Sequence, residues 1–92
     1  MRVQVEFFAQ ARDAAGCSGE SVPLAENATL LDLARTLATK HGPRLGQLLL
    51  GPDGGLSPHV LFTVADSHVS PGATVALADG DRVTIVPPIS GG

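Results

Sequence analysis

The chain has 92 residues, of which 43% are hydrophobic and 16% charged, and a formal net charge of −3. This length and composition are typical of one folded domain with a modest core. No run of three Lys or Arg residues occurs, and three Phe are the only aromatic side chains apart from His, which argues against nucleic acid or an anionic membrane as partner. The single cysteine, Cys17, cannot form an internal disulfide, and no segment approaches the ~20 apolar residues that span a bilayer. We therefore expect a cytoplasmic protein.

The first element predicted is a strand over residues 2–9. Val3, Val5 and Phe7 share one face of this strand, so Phe8 lies on the opposite face. The Gly- and Ser-rich stretch that follows is typical of a turn, over residues 13–21.

A short second strand is predicted over residues 20–25. Pro23 has no N–H to donate, so this strand should lie at an edge of the sheet.

The clearest element is a helix over residues 29–41. Thr29 is a suitable N-cap, with Asp32 three residues later as its capping-box partner. Leucines and alanines recur at helical spacing after it, and Gly42 followed by Pro43 is a stop signal.

The remaining segments are short and rich in Gly and Pro. They predict a helical turn around Leu45, Leu48 and Leu49, a loop at 51–55, a strand at 59–66, a short piece at 68–69, and a final strand that follows the Asp79–Gly80 turn.

This order of elements predicts an α+β fold in two layers. One main helix covers one face of a mixed sheet of four to five strands. Apolar and polar residues alternate most strongly in the first and last strands, so we expect these strands to be central. The long crossover between them allows them to be parallel neighbours. The folded domain is predicted to span residues 1–86, with residues 87–92 forming an extended tail that ends in Gly-Gly.

An apolar patch is predicted where the tail leaves the sheet. A single helix covers one face only, so Phe8 and Val86 should be at least partly exposed, and parallel pairing brings them to the same end of the sheet. Pro87, Pro88 and Ile89 leave from that end. Single exposed apolar residues are ordinary, but several that converge favour a partner-binding surface.

The tail itself favours chemistry at its last carboxylate. The two prolines stop the strand and stiffen the departure, and residues 87–92 reach at most about 20 Å when extended. Gly91 and Gly92 have no side chain and can enter a narrow channel. A carboxylate becomes an electrophile once ATP adenylates it. The alternative is a flexible stub that happens to end in Gly-Gly.

Two motifs at the ends of the chain resemble the MoaD/ThiS family of ubiquitin-like sulfur carriers, and most of all the small subunit of molybdopterin synthase. The first is F-F-A-x-x-R-[ED], and the second is D-G-D-x-V followed by P-P-x-x-G-G. The matching residues are Phe7, Phe8, Ala9, Arg12 and Asp13 for the first motif, and Asp79, Gly80, Asp81, Val83, Pro87, Pro88, Gly91 and Gly92 for the second.

The resemblance implies the ubiquitin-like β-grasp fold and a defined chemistry. The Gly92 carboxylate would be adenylated by a MoeB/ThiF-like activating enzyme that uses ATP, then converted to a thiocarboxylate with sulfur from a donor protein. The tail would enter a MoaE-like large subunit of molybdopterin synthase and donate sulfur for the molybdopterin dithiolene. The resemblance assigns Gly92 and Gly91 to the reaction. Phe8 and Val86 match the positions that pack on the partner, and we add the tail residues Pro87, Pro88, Ile89 and Ser90 to that partner-binding set.

The chain is thus not expected to be catalytic alone, nor to bind a cofactor or a metal. His41, His59 and His68 are too scattered for a metal signature, and Cys17 is interpreted as an incidental thiol. Two alternatives share the activated tail: a sulfur carrier for cysteine, thiamine or thiolated tRNA, and a ubiquitin-like protein modifier.

Overall fold

The computed structural model describes residues 1–70 and 72–88. Its strands are β1 (Arg2–Phe7), β2 (Gly19–Pro23), β3 (Leu61–Val64), β4 (Ser67–His68) and β5 (Arg82–Val86). Its helices are α1 (Gln10–Ala15), α2 (Leu30–His41) and α3 (Pro43–Leu49). In these ranges no helix combines the length and the apolar character that a bilayer crossing needs.

The five strands form one mixed sheet in the order β2-β1-β5-β3-β4. β1 and β5 are parallel neighbours, and the other pairs are antiparallel. The predicted central pairing of the first and last strands is confirmed, and so is the edge position of the strand that contains Pro23.

The helix α2 confirms the predicted helix and its cap. The Thr29 side chain accepts a hydrogen bond from the Asp32 N–H, and the Asp32 carboxylate accepts one from the Thr29 N–H, at 3.2 and 2.9 Å. This reciprocal capping box satisfies two N–H groups that the first turn leaves without an intrahelical partner. The buried face of α2 covers one side of the sheet and consists of Leu30, Leu33, Ala34 and Leu37.

The segment after β1 corrects the sequence prediction. Residues 13–21 were expected to form a turn, but the helix α1 occupies 10–15 and β2 begins at Gly19, so only residues 16–18 form the turn. Ala11 is completely buried, so tertiary packing compensates for the low intrinsic stability of so short a helix. Gly16, with φ 78°, ends it in the left-handed conformation that glycine tolerates best.

The predicted helical turn at 45–49 is a full short helix, α3. Pro43 begins it, in the first-turn position where a missing N–H costs nothing. Leu45 and Leu49 are buried, and α3 approaches α2 closely at Gly46, where a Cβ would lie 3.1 Å from the Cβ of Ala38. Within residues 1–70 and 72–88, the predicted main helix α2 is thus accompanied by two shorter helices, α1 and α3.

Candidate functional site

The face of the sheet opposite α2 ends in a row of apolar side chains. Register pairs Phe7 with Ile85 and Leu61 with Val86. The Phe8 N–H donates to the Ile85 carbonyl at 3.1 Å, so the β1–β5 ladder continues one residue further and sets Phe8 beside Val86. Phe8, Val86 and Leu61 thus lie side by side on three adjacent strands; we call them the apolar row.

The apolar row is accessible in the isolated chain. Phe8 is 43% exposed and Leu61 38%, and they are the two large hydrophobic side chains that the described residues leave exposed. Val86, between them, is half-buried. The predicted exposure of Phe8 is confirmed, and exposed apolar side chains that adjoin one another are typical of a protein-docking surface.

Polar side chains occupy the rest of this open face. Glu6 and Arg82 form an exposed ion pair at 3.3 Å, and the hydroxyls of Thr63 and Thr84 share a hydrogen bond across β3 and β5. The apolar surface is therefore confined to the end of the sheet from which the chain departs.

The tail leaves the sheet directly beside the apolar row. β5 ends at Val86, as predicted from the two prolines, and the Pro87 side chain is less than 2% exposed whereas Pro88 is exposed. Pro87 was predicted to contact a partner; its side chain is buried in the isolated chain, and the partner contact stays a prediction. Pro87 fixes where the tail starts.

The remaining predicted site residues cannot be placed. Ile89, Ser90, Gly91 and Gly92 lie outside the residues that the structure describes.

Leu61 was missed by the sequence analysis. Residues 59–66 were predicted to form a strand, but its side chains were not assigned to the buried or the open face. In the structure Phe62 and Val64 are buried and alternate with Leu61 and Thr63. The same period-2 argument that exposed Phe8 would have placed Leu61 on the open face.

A separate cluster of titratable side chains lies where the end of α2 meets the edge strand β2. One oxygen of the Glu20 carboxylate contacts the Lys40 ammonium, and the other contacts the His41 ring. The Cys17 Sγ lies 3.9 Å from that second oxygen. Partial burial raises the pKa of the Glu20 carboxyl group, but the hydrogen bonds and charges of Lys40 and His41 outweigh it and hold this pKa below its ordinary value.

One cavity lies apart from the apolar row, and its lining includes none of Phe8, Val86, Pro87 and Pro88. Its volume is about 580 Å³, and it lies between the 51–58 loop, the start of α2 and residues 72–75. Within 1–70 and 72–88, no three His, Cys, Asp or Glu side chains are grouped so that they could hold a metal ion.

A five-stranded mixed sheet with a helix across one face, a bare opposite face and a tail leaving beside an apolar row defines a ubiquitin-like domain of the β-grasp type. The chain belongs to the ThiS family, whose model matches residues 5–92. It is therefore a ubiquitin-like sulfur carrier of the ThiS/MoaD kind.

Known relatives match the chain over its whole length. The molybdopterin synthase sulfur carrier subunit of Chlamydomonas reinhardtii is 32% identical, with 100% of both chains covered. Small archaeal modifier protein 3 of Haloferax volcanii is also 32% identical, again over 100% of both chains. The crystal structure of SAMP1 from Haloferax volcanii superimposes with a TM-score of 0.86 at 29% identity and covers 100% of both chains.

Proposed function

We propose that the chain is the sulfur-carrying small subunit of a molybdopterin synthase. The observation that carries the proposal is the apolar row at the tail exit, which offers a docking surface at the point from which the last residues can reach into another protein's pocket. The full-length relative named as such a subunit supports the same function.

The proposed chemistry takes place at the Gly92 carboxylate. An activating enzyme of the MoeB/ThiF type transfers AMP from ATP to this carboxylate and releases pyrophosphate. Hydrosulfide from a sulfur donor protein then attacks the acyl carbon, the bond to the AMP oxygen breaks, and AMP leaves. The product is a thiocarboxylate, and no change of oxidation state is needed at carbon or sulfur.

Delivery then depends on the docking surface. Phe8, Val86 and Leu61 pack against a MoaE-like large subunit, while the side-chain-free Gly91 and Gly92 thread into its active site. Each delivered thiocarboxylate supplies one sulfur toward the molybdopterin dithiolene, so the carrier supplies the reactive group and the large subunit supplies the pocket.

Deletion of Gly92 tests the activation step. The chain is incubated with the activating enzyme, ATP and sodium sulfide, and its intact mass is followed. The full chain is expected to gain about 16 Da as oxygen is replaced by sulfur, an acyl-transfer outcome that requires the terminal glycine. The deletion variant should stay unmodified with an unchanged melting temperature, and an equal gain in that variant would refute the proposal.

A second candidate function is protein modification. It is favoured by the 32% identity to an archaeal modifier protein over the full length of both chains. In that case the activated carboxyl would be joined to a lysine of a target instead of donating sulfur. Co-purification separates the candidates: a MoaE-like subunit bound noncovalently supports molybdopterin synthesis, and isopeptide-linked conjugates support modification. A biosynthetic enzyme for cysteine, thiamine or thiolated tRNA would identify another sulfur-carrier pathway.

A further inference from the structure

The ladder between β1 and β5 ends at a proline that faces β1. The Gln4 N–H donates to the Asp81 carbonyl at 2.8 Å, and four residues later the Phe8 N–H donates to the Ile85 carbonyl at 3.1 Å. In a parallel pair, a residue that donates in this way also accepts, through its own carbonyl, from the residue two positions further along the other strand. For the Phe8 carbonyl that donor would be the N–H of residue 87, and Pro87 has none.

The Phe8 carbonyl is used instead by the turn in which β1 leaves the sheet. The Ala11 N–H donates to it at 3.1 Å and closes a four-residue turn through Ala9. Ala9 has φ 52° and ψ −128°, the first central position of a type II′ turn, which favours glycine because a Cβ is strained there. A strained residue persists only where its surroundings enforce the conformation. β1 therefore turns away at the level where Pro87 ends the ladder.

The second proline faces the other neighbour, β3. Successive residues of a strand direct their backbone N–H groups to opposite sides, so position 88 points toward β3. Register pairs Leu61 with Val86, and two residues further it sets Pro88 opposite His59, again without an N–H to donate. The His59 N–H itself donates to the Ser57 hydroxyl at 3.3 Å. The two prolines thus end pairing on both sides of the same strand.

We propose that Pro87 and Pro88 are positioning residues that together keep the tail off both neighbouring strands, so that it is available to enter a partner's pocket. Each proline removes the donor that faces a different neighbour, and both are therefore needed. This inference rests on the proposed function, because it presumes a terminal glycine that must reach another protein.

Burial makes the missing donor most important at Pro87. This side chain is less than 2% exposed, so an N–H at the same position would have little access to water and would need an acceptor in the protein. The Phe8 carbonyl faces it and has a second lone pair to offer. One added backbone hydrogen bond would shift the balance between paired and released tail by roughly 2- to 10-fold. Pro88 is exposed, so we expect its replacement to have an effect at the lower end of that range.

Amide hydrogen exchange, followed by NMR on the folded full-length chain, tests the proposal without any partner. Pro87→Ala and Pro88→Ala each add one N–H, which should exchange roughly 2- to 10-fold more slowly than in an unstructured peptide of the same sequence. In the double variant the slowing should extend to the amide of residue 89. Pro52→Ala makes the same change at an exposed proline of the 51–58 loop and should leave exchange in the tail unchanged. A substitution that merely destabilised the domain would speed exchange, not slow it in the tail.

Adenylation kinetics then measure whether pairing withholds the tail. With a MoeB/ThiF-like activating enzyme and ATP, Pro87→Ala should lower kcat for pyrophosphate release by roughly 2- to 10-fold, the same factor as the pairing equilibrium. The double variant should be slower than either single variant. KM should stay nearly unchanged, because the apolar row is unaltered.

A new N–H at position 87 that exchanges as fast as in an unstructured peptide would overturn the proposal, and the same result at position 88 would overturn its two-sided form. If Pro87→Ala does not fold, because a buried ring is lost, Pro88→Ala decides. An unchanged kcat in a double variant with a protected tail would also refute the proposal. Absence of pyrophosphate release from the wild-type chain would instead count against the proposed function, and the exchange rates would then decide this inference alone.

Discussion

The two faces of the sheet differ most clearly at two adjacent residues. Phe7 is 2% exposed and packs in the core under α2, whereas Phe8 is 43% exposed on the open face. Consecutive positions at the end of β1 therefore hold a buried side chain and an exposed one, and we propose that the exposed one is used for recognition. The comparison teaches that the side of the strand a residue occupies, and not its type, decides whether it is buried in the core or available to a partner.

The largest expected difference between the two faces is in the free energy of unfolding after alanine substitution at Phe7 and at Phe8. Phe7→Ala leaves a cavity in the packed core and is expected to lower the free energy of unfolding by about 3–5 kcal/mol. Phe8→Ala should lower it by less than about 1 kcal/mol, because much of that ring already contacts solvent. Urea denaturation followed by circular dichroism measures both, and equal losses would mean that Phe8 belongs to the core.

Acidic substitutions on the open face should have the next largest effect, which is a loss of affinity for the partner. Phe8→Asp and Leu61→Asp are each expected to weaken binding to a MoaE-like large subunit by roughly 30-fold, as for an interface hot spot. Isothermal titration calorimetry measures the affinity, and the melting temperature should change little. Thr39→Asp adds the same charge on an exposed position of α2 and should bind like the wild type. If Leu61→Asp also bound normally, the docking surface would not include β3.

The smallest expected effect is on the melting temperature at low pH, through Glu20 in the edge strand β2. The pKa of Glu20 is lower in the folded chain than its ordinary value of 4.5, because the raising effect of burial is outweighed by the hydrogen bonds and charges of Lys40 and His41. Its contribution is therefore fully present above that value and is lost as the pH falls through the lower folded pKa. Glu20→Gln should flatten the loss of stability below pH 4.5, and Lys40→Gln should flatten it partly, as measured by melting temperature against pH. Unchanged profiles in both variants would show that the cluster contributes nothing to stability.

Local patterns predicted much of the fold. The capping box and leucine spacing located α2, and the alternation in the first and last strands indicated that they are central. The helix α1 was missed because it is only six residues long and runs directly into the Gly- and Ser-rich segment 16–21, and the contact that stabilises it, the burial of Ala11, is not visible locally.

The candidate site was predicted in part. Phe8 and Val86 followed from alternation, but Leu61 joins them only through the antiparallel register of β3 with β5. The burial of Pro87 was not predicted, because its neighbours in the sequence do not reveal it.

By itself the sequence determined the elements that depend on near neighbours: the strand alternation, the helix cap, the proline stop after Val86, and the family to which the chain belongs. Only the tertiary structure brought Phe8, Val86 and Leu61 into one row and placed Cys17 and Lys40 at the carboxylate of Glu20. The reason is that periodicity fixes which way a side chain points within its own strand or helix, whereas contacts between distant residues depend on register and on how a helix end packs against a strand.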